Sequence, residues 1–298
     1  MTLQNNNFLT MVEKAMLAKG HAHMRAVIEK ELLHYDILFA LDNAGLLDKL
    51  TFQGGTSLRL CYGAPRFSED LDFAGGTNFA TKNLISMKTC IEQYLGKRYG
   101  LKVTVKEPHE MSYEPENRNI KISKWQIRID TYPERPDLPK QMIKIEIGNI
   151  PAYTKEPQQL QKNYDFLPDG YNDMLIITET LEEILADKLI SFVNCQAYIR
   201  YRDIWDLHWL KQQGSIINLI LIKQKIDDYK IDNYLIKAKE MINALPDIIY
   251  GKTFKEQMSR FLPMNVQERT LLKEKFYMFL LKEISTMLNN LLNFVSNR

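Results

Sequence analysis

Two neighbouring stretches of the chain decide the fold: Phe52–Arg59, with the sequence FQGGTSLR, and Arg66–Phe73, with the sequence RFSEDLDF. The first contains a glycine pair, and because glycine has no Cβ, backbone N–H groups there can approach a ligand closely. Thr56 is placed to cap a short helix that follows, and the free N–H groups at such a helix end suit a phosphate. This stretch therefore predicts a phosphate-binding turn.

The second stretch places two carboxylates in alternation. Asp70 and Asp72 are two residues apart, so in an extended segment both project from one face of a strand. They repel each other unless a positive charge lies between them, and Mg²⁺ that also holds substrate phosphates accepts such oxygen ligands. A lone glycine turn or a lone D-x-D is usually a plain turn or a solvated strand end. The two together predict a site for phosphate and metal.

Length and composition indicate an ordinary globular protein. The chain has 298 residues, enough for one large domain or two small ones, with 45% hydrophobic and 26% charged residues. The net charge of +2 excludes a polycation. Any contact with nucleic acid must therefore come from a local basic patch.

Cysteine usage and the distribution of apolar residues bear on the compartment. Cys61, Cys90 and Cys195 are odd in number and form no C-x-x-C pair, which argues against a disulfide framework or a zinc site. The stretch Met1–Asn7 is polar and opens no signal peptide, and no apolar run reaches membrane length. We therefore expect a cytoplasmic protein that does not enter a membrane.

Hydrophobic periodicity predicts an α/β (α+β) fold. Helices are expected at Phe8–Ala44 and Lys82–Arg98, and strands at Gly100–Lys106, Asn119–Thr131, Gln141–Gly148 and Leu175–Thr178. Prolines within Tyr132–Lys140 predict a loop that joins two of these strands as a hairpin, and Pro151–Asn172 should be irregular. The chain thus divides into an N-terminal core with a small mixed sheet, residues 1–175, and a mostly helical C-terminal portion, residues 176–298.

Two acidic residues are candidates for a third carboxylate beside the Asp70–Asp72 pair. Asp130 and Glu146 each alternate with apolar residues in one strand of the predicted hairpin. Taken alone, each is more simply explained as part of a solvated outer face. The strand pattern leaves both open.

A lysine lies on the apolar face of the first helix after residue 176. Lys188 falls in the helical spacing of the apolar residues Leu181, Leu185, Leu189 and Phe192. A lysine there either extends its ammonium to the rim or is held by an anion.

The next predicted helix, Tyr198–Gln212, carries acids on its apolar face. Asp203 and Asp206 recur with Ile199 and Leu210 at spacings of three and four. Acids on a buried stripe usually need a cation. The candidates for that cation are Arg200, Arg202 and Lys188.

The remainder of the chain shows helical patterns without a chemical cluster. These patterns lie near Ile216–Asp228, Tyr234–Leu245 and Val266–Val295, with Pro246 and Pro263 as breaks. The many lysines here, Lys225 among them, are more simply a solvated face than a surface that contacts phosphates. This portion should serve packing or contact with a partner rather than catalysis.

The glycine turn, small hydroxyl residue, short helix and D-x-D resemble the signature of the polymerase-β-type nucleotidyltransferases. The fuller strings Phe52–Leu58 and Arg66–Phe73 resemble the AbiEii/AbiGii family of that superfamily, toxins of bacterial toxin–antitoxin and phage-defence systems. Gln53 stands where the family usually has a lysine, while the carboxylates and glycines are retained.

Three further segments extend the resemblance over roughly residues 28–212. Lys144–Ile147 resembles the second family motif, which favours Glu146 as the third carboxylate and keeps Asp130 in reserve, although the family commonly has aspartate there. Glu183–Lys188 and Arg202–Leu207 resemble the third and fourth motifs. In the family, the lysine and one aspartate of these motifs are needed for activity.

The resemblance implies a toxin that moves a nucleotide from a nucleoside triphosphate to RNA, at the 3′ end of tRNA, and releases pyrophosphate. It implies one or two Mg²⁺ ions held by Asp70, Asp72 and Glu146. Phosphate contacts are expected from Gly54, Gly55, Thr56, Ser57, Arg66, Ser68 and Lys188. Asp203 or Asp206 would orient Lys188 or assist deprotonation. A cognate antitoxin is implied, without the need for a stable complex.

Two rival functions are compatible with the sequence. One is a catalytically degenerate nucleotide-binding regulatory protein, against which the intact carboxylates count. The other keeps the chemistry but transfers the nucleotide to a small molecule or a protein, which the modest net charge does not exclude.

Overall fold

The computed structural model describes residues 8–108, 112–114, 117–195 and 198–296. The polar stretch Met1–Asn7 therefore lies outside the described residues. The chain divides into two compact units: the first holds Met1–Ser112 and Lys121–Glu179, and the second holds Tyr113–Ile120 and Thr180–Arg298. The predicted boundary at residues 175 and 176 falls at the start of the last strand, whereas this division follows that strand. No described helix is long and apolar enough to cross a membrane.

The first unit combines a mixed sheet with helices. Its helices are α1 (Phe8–Met16), α2 (Arg25–Asn43), α3 (Gly54–Leu60) and α4 (Met87–Tyr99), with a short 3-10 helix at Thr81–Leu84. The strands of the sheet are β1 (Thr51–Gln53), β2 (Leu71–Ala74), β3 (Lys102–Lys106), β4 (Ser112–Glu114), β5 (Asn117–Asp130), β6 (Gln141–Gly148), β7 (Glu156–Gln159) and β8 (Leu175–Thr178). Residues 113–114 of β4 and 117–120 of β5 fall in the second unit.

The strand order is β3-β5-β6-β2-β1-β8-β7, with β4 paired to β5. Strands β2 and β6 run parallel, as do β1 and β8, and the pairs β1–β2, β3–β5, β5–β6 and β7–β8 are antiparallel. The predicted hairpin of β5 and β6 is confirmed. A mixed sheet with flanking helices confirms the predicted α+β fold.

The two faces of the sheet differ in chemistry. Alternation along β1, β2, β5 and β6 puts large apolar side chains on one face, where they are fully or almost fully buried: Phe52, Leu71, Phe73, Trp125, Ile127, Ile145 and Ile147. Burying each such side chain contributes about 1.5–3 kcal/mol relative to exposure. The other face carries Gln53, Asp72, Glu146 and Lys124 in one cross-strand register.

The long N-terminal helix predicted at Phe8–Ala44 is two helices. The chain breaks between α1 and α2, where Gly20 has a φ of +91° that favours glycine. Helix α2 is buried along most of its length, including the acids Glu29, Glu31 and Asp36. Glu31 is held by Arg59 Nε at 2.7 Å, and Asp36 by Arg98 Nε at 2.9 Å. Because these charges are paired, the helix can occupy the core despite its polar residues.

Pro151–Asn172 contains a strand that the prediction of an irregular segment missed. Strand β7 pairs with β8 and forms an edge of the sheet. Glu156 lies opposite Thr178 at one end of this pairing, and Gln159 lies opposite Leu175 at the other. Proline is tolerated in an edge strand, where a missing N–H costs no ladder bond. Pro157 therefore obscured the strand in the sequence.

The second unit is mostly helical, as predicted. Its helices are α5 (Leu181–Asn194), α6 (Tyr201–Gln212), α7 (Leu219–Asp228), α8 (Tyr234–Tyr250), α9 (Lys252–Ser259), α10 (Met264–Arg269) and α11 (Glu274–Ser296). The predicted break at Pro246 is wrong because Pro246 lies inside α8. Lys225 is buried and not on a solvated face: its Nζ lies 2.8 Å from both Glu183 Oε1 and Asp187 Oδ1.

Candidate active site

The glycine pair at the start of α3 makes room for side chains of the first unit. Gly54 has a φ of +78°, and a Cβ built there would lie 2.8 Å from Asp72 Oδ2. A Cβ on Gly55 would overlap Arg66 Nη2 and lie 3.1 Å from Ser68 Oγ. The two glycines thus bring an aspartate, an arginine and a serine against the backbone of the turn. Five residues that the sequence predicted for the site meet at this point, the two glycines included.

Thr56 does not cap the helix, contrary to the prediction. The N-cap of α3 is Gln53, and its side chain makes no capping hydrogen bond. Thr56 lies inside the helix, where its buried hydroxyl donates to the backbone carbonyl of Asp70. Ser57 is buried in the same helix. Thr56 therefore holds the segment that precedes β2.

The sheet register brings Asp72 and Glu146 together. They are paired residues on the parallel strands β2 and β6, so their side chains leave the same face of adjacent strands. Asp70 lies two residues before Asp72, and its Oδ1 accepts a hydrogen bond of 3.1 Å from the backbone N–H of Lys144. The side chains of Asp70 and Glu146 are 28% and 23% exposed, which leaves their oxygens partly accessible.

Asp130 lies away from this pair. It ends β5, in register with Lys102 of β3, and its carboxylate pairs with Lys140 Nζ at 3.0 Å. The β5 residue in register with Glu146 is Lys124. Of the two acids that the strand pattern left open, Glu146 is the one placed beside Asp72.

Two lysines beside the carboxylates were missed by the sequence analysis. Lys124 Nζ lies 2.9 Å from Glu146 Oε1, and Lys144 Nζ lies 3.9 Å from Asp70 Oδ2. Both lysines alternate with buried residues of β5 and β6, and this alternation was the one sign in the sequence that they lie on the polar face of the sheet. The sequence did not show which strand lies beside each of them. They give the carboxylate face positive charge although Gln53, and not a lysine, precedes the glycine pair.

The segment leading into β2 is fixed by α2. His34 is buried in that helix, and its Nε2 lies 3.0 Å from the carbonyl oxygen of Glu69. Burial lowers the pKa of His34 to about 4, so the ring is neutral near pH 7. Lys30 Nζ binds Glu69 Oε1 at 2.7 Å. These contacts position the backbone immediately before Asp70.

The carboxylate face offers oxygen ligands of the kind that Mg²⁺ accepts. In the part of the chain that the structure describes, no group of three or more His, Cys, Asp or Glu side chains is arranged closely enough to hold a metal. Mg²⁺ does not require a cage of protein ligands, since it commonly uses one or two carboxylates together with substrate phosphates and water. The partly exposed, in-register oxygens of Asp72 and Glu146, with Asp70 beside them, fit that requirement.

In the second unit, Lys188 is held by both predicted aspartates. Lys188 is 8% exposed, and its Nζ lies 2.7 Å from Asp203 Oδ1 and 2.9 Å from Asp206 Oδ2. Of the cations weighed from the sequence, Lys188 and Arg200 both pair with Asp203, whereas Arg202 lies over the Phe261 ring. The expectation that these buried acids require a cation is confirmed.

Asp203 is held by two cations and a hydroxyl group. Burial alone would raise its pKa, but the charges of Arg200 and Lys188 hold the pKa of this carboxyl well below its usual range. Ser191 Oγ also donates to Asp203 Oδ2 at 2.9 Å. Asp203 is therefore ionised across physiological pH and fixes the lysine in one position.

Comparisons with known proteins identify a family for most of the chain. The sequence model of one protein family, the nucleotidyl transferase AbiEii toxins of the type IV toxin–antitoxin system, matches residues 36–287 of this chain. No curated protein matches the sequence. Among solved structures, the chain is similar to a "putative nucleotidyltransferase" from Helicobacter pylori, with 17% identity, a TM-score of 0.49, and coverage of 91% of this chain and 96% of that one. It is also similar to JHP933 from Helicobacter pylori, with 18% identity, a TM-score of 0.49, and coverage of 91% and 95%.

Proposed function

Because the chain belongs to the family of nucleotidyl transferase AbiEii toxins of type IV toxin–antitoxin systems, we propose that it moves a nucleotide from a nucleoside triphosphate to RNA. The acceptor that the family resemblance implies is the 3′ end of tRNA, and such an acceptor would place the activity in the cytoplasm. A cognate antitoxin belongs to the proposal because the family is that of a toxin–antitoxin system.

The observation that carries the proposal is the pairing of Asp72 with Glu146 beside Gly54. Two carboxylates in register on parallel strands stand where a helix begins with a glycine pair. The first four N–H groups of a helix have no partner within it, so this end of α3 offers donors to phosphate oxygens. Carboxylates for a cation and donors for phosphates are the two requirements of nucleotidyl transfer.

Asp72 and Glu146 would hold the magnesium in this proposal, with substrate phosphates and water as further ligands, and the family resemblance adds Asp70 as a third carboxylate. Mg²⁺ bound there would supply positive charge to the triphosphate and to the attacking and leaving oxygens. The neighbouring lysines, Lys124 and Lys144, reduce the repulsion among the carboxylates.

The phosphates would be bound by the turn at α3. The backbone N–H groups of Gly54, Gly55 and Thr56 are the proposed donors, the family resemblance adds Ser57, and Arg66 and Ser68, packed against Gly55, add side-chain contacts. The hydroxyl of Thr56 is engaged with the carbonyl of Asp70, so its side chain supports the site by positioning. The family resemblance adds Lys188 as a further phosphate ligand, oriented by Asp203 and Asp206.

In the proposed reaction, a hydroxyl oxygen of the acceptor RNA attacks the α-phosphorus of the triphosphate. The new P–O bond joins the nucleotide to the acceptor, and the bond between the α-phosphorus and its bridging oxygen breaks. Pyrophosphate leaves with that electron pair, and the hydroxyl proton passes to solvent. Because Asp203 and Asp206 are both ion-paired with Lys188, orientation of the lysine is a better supported role for them than proton transfer.

The test is a labelling experiment with purified protein, Mg²⁺, total RNA and each of the four α-labelled nucleoside triphosphates in turn. We expect label in RNA from at least one triphosphate, and none after Asp72→Ala. Absence of label in RNA with all four, for protein that binds a triphosphate, would contradict the proposal and favour a nucleotide-binding regulator. Label in a small molecule or a protein instead would keep the chemistry and replace the acceptor.

A further inference from the structure

The sheet face that carries the carboxylates is basic on its β3 side. Lys102 and Lys106 of β3, Lys124 and Arg128 of β5, and Lys144 of β6 occupy outward positions of the paired segments. Lys102, Lys106 and Arg128 are exposed, and the side chains of Lys124 and Lys144 are 37% and 38% exposed.

Acidic residues offset little of this charge. The acids at outward positions of residues 102–106, 124–130 and 142–146 are Asp130, which pairs with Lys140, and Glu146, which pairs with Lys124. Five basic residues therefore face two acidic ones on three neighbouring strands, in a chain whose total net charge is +2. Basic charge is concentrated on this surface.

The basic face is continuous with the candidate active site. Gln126 links Lys106 and Lys144 in one cross-strand register, and Lys144 in turn contacts Asp70. From β3 to β2 the face spans three strand spacings, about 14 Å. A chain of phosphates that crosses it would reach the carboxylates.

We propose that this basic sheet face, Lys102, Lys106, Lys124, Arg128 and Lys144, binds the phosphodiester backbone of the acceptor RNA and leads its reacting end to Asp72 and Glu146. The inference rests on the proposed function, since it requires that the acceptor be RNA. Charge complementarity is the argument for this occupant, because lysine and arginine contacts to phosphates supply affinity without reading sequence. A membrane surface is a poorer match: the one large apolar side chain at these outward positions is Met142.

The test uses the full chain with the paired substitutions Lys106→Gln and Arg128→Gln. Both side chains are exposed and lie on strands other than those of the carboxylates, so the fold should be kept. The probe is bulk tRNA with a fluorescent label at its 5′ end, and anisotropy gives its affinity at several salt concentrations. We expect about tenfold weaker tRNA binding at moderate salt. The slope of the logarithm of the binding constant against the logarithm of the salt concentration should become less steep by about one for each phosphate contact removed. Binding of a labelled triphosphate should not change.

The matched control is Lys19→Gln with Lys49→Gln, which removes two exposed positive charges outside the sheet. This variant should bind the tRNA as the wild type does. Equal tRNA affinity of the sheet variant and the control would overturn the inference. The proposed function would still stand in that case if the wild type labelled RNA. Retained tRNA binding with lost binding to anionic lipid vesicles would likewise overturn the inference, in favour of a membrane surface. If the wild type itself bound no RNA and labelled none, the proposed function would fail together with the inference.

Discussion

Asp72 and Glu146 are register partners on the parallel strands β2 and β6, although 73 positions separate them in the chain. Their carboxylates share one face of the sheet, and the Asp72 side chain packs against Gly54. Like charges in such an arrangement repel and disfavour the folded state unless cations lie nearby. Lys124 supplies one such cation to Glu146. The pair is therefore placed for a ligand that brings further positive charge.

Removing the carboxylate of Asp70 or Asp72 should abolish transfer without unfolding the protein. Asp72→Ala relieves repulsion on the carboxylate face, so its melting temperature without Mg²⁺ should hold or rise. Asp70→Ala also leaves the backbone N–H of Lys144 without its acceptor, so its melting temperature should fall slightly. We expect the stabilisation by added Mg²⁺ and triphosphate to disappear in both variants. Thermal melts with and without Mg²⁺, together with the labelling assay, measure these effects. Full transfer by either variant would rule out the metal assignment.

Glu146 and Asp130 can be separated by isosteric substitutions. Glu146→Gln should lose transfer and weaken the dependence on Mg²⁺, since Glu146 is the acid beside Asp72. Asp130→Asn should be tolerated because Asp130 forms an ion pair with Lys140 at the far end of β5, and a partly exposed pair contributes about 1 kcal/mol or less. Magnesium titrations of the two variants give the comparison. The opposite result would move the third carboxylate to β5.

Lys188→Ala should reduce triphosphate binding and turnover while RNA binding is retained. It should also lower the free energy of unfolding by about 3–5 kcal/mol, because Asp203 and Asp206 lose a buried partner. Lys225→Ala is the matched control: it removes another buried lysine that bridges two acids, Glu183 and Asp187. The control variant should lose stability but keep the triphosphate affinity and turnover of the wild type. If both variants kept the triphosphate affinity of the wild type, Lys188 would be purely structural.

His34 should make stability depend on pH in the weakly acidic range. Burial lowers its pKa from 6.5 to about 4, so the unfolded chain binds the proton more readily than the folded one. The stabilisation is complete above pH 6.5 and is lost as the pH falls toward 4, by about 3 kcal/mol. Urea unfolding at pH 7 and pH 5 measures it, and His34→Gln should flatten the difference. An equal pH difference in that variant would assign the effect to other groups.

The periodicity of apolar residues was sufficient to predict the bounds of some strands. The predicted bounds Gln141–Gly148 and Leu175–Thr178 are those of β6 and β8, since alternation along a half-buried strand is visible without knowledge of its neighbours. The Lys188 cluster was also accessible, because charged residues on an apolar helical stripe must find partners nearby.

Features that depend on tertiary contacts could not be predicted in the same way. Pro246 lies within α8, and Glu31 and Asp36 lie buried in α2, where Arg59 and Arg98 from other helices neutralise them. The pairing of Lys124 with Glu146 depends on the register between β5 and β6. Residue type alone gave no indication of these partners.

The most direct test of the central claim is sequencing of RNA 3′ ends from bacteria that express the wild-type protein without an antitoxin. We expect growth to stop and non-templated nucleotides to accumulate at 3′ ends, tRNA ends above all. The Asp72→Ala variant, at equal expression, should leave both growth and 3′ ends unchanged. Growth arrest by the wild type with unaltered RNA 3′ ends would contradict the claim that this site transfers nucleotides to RNA.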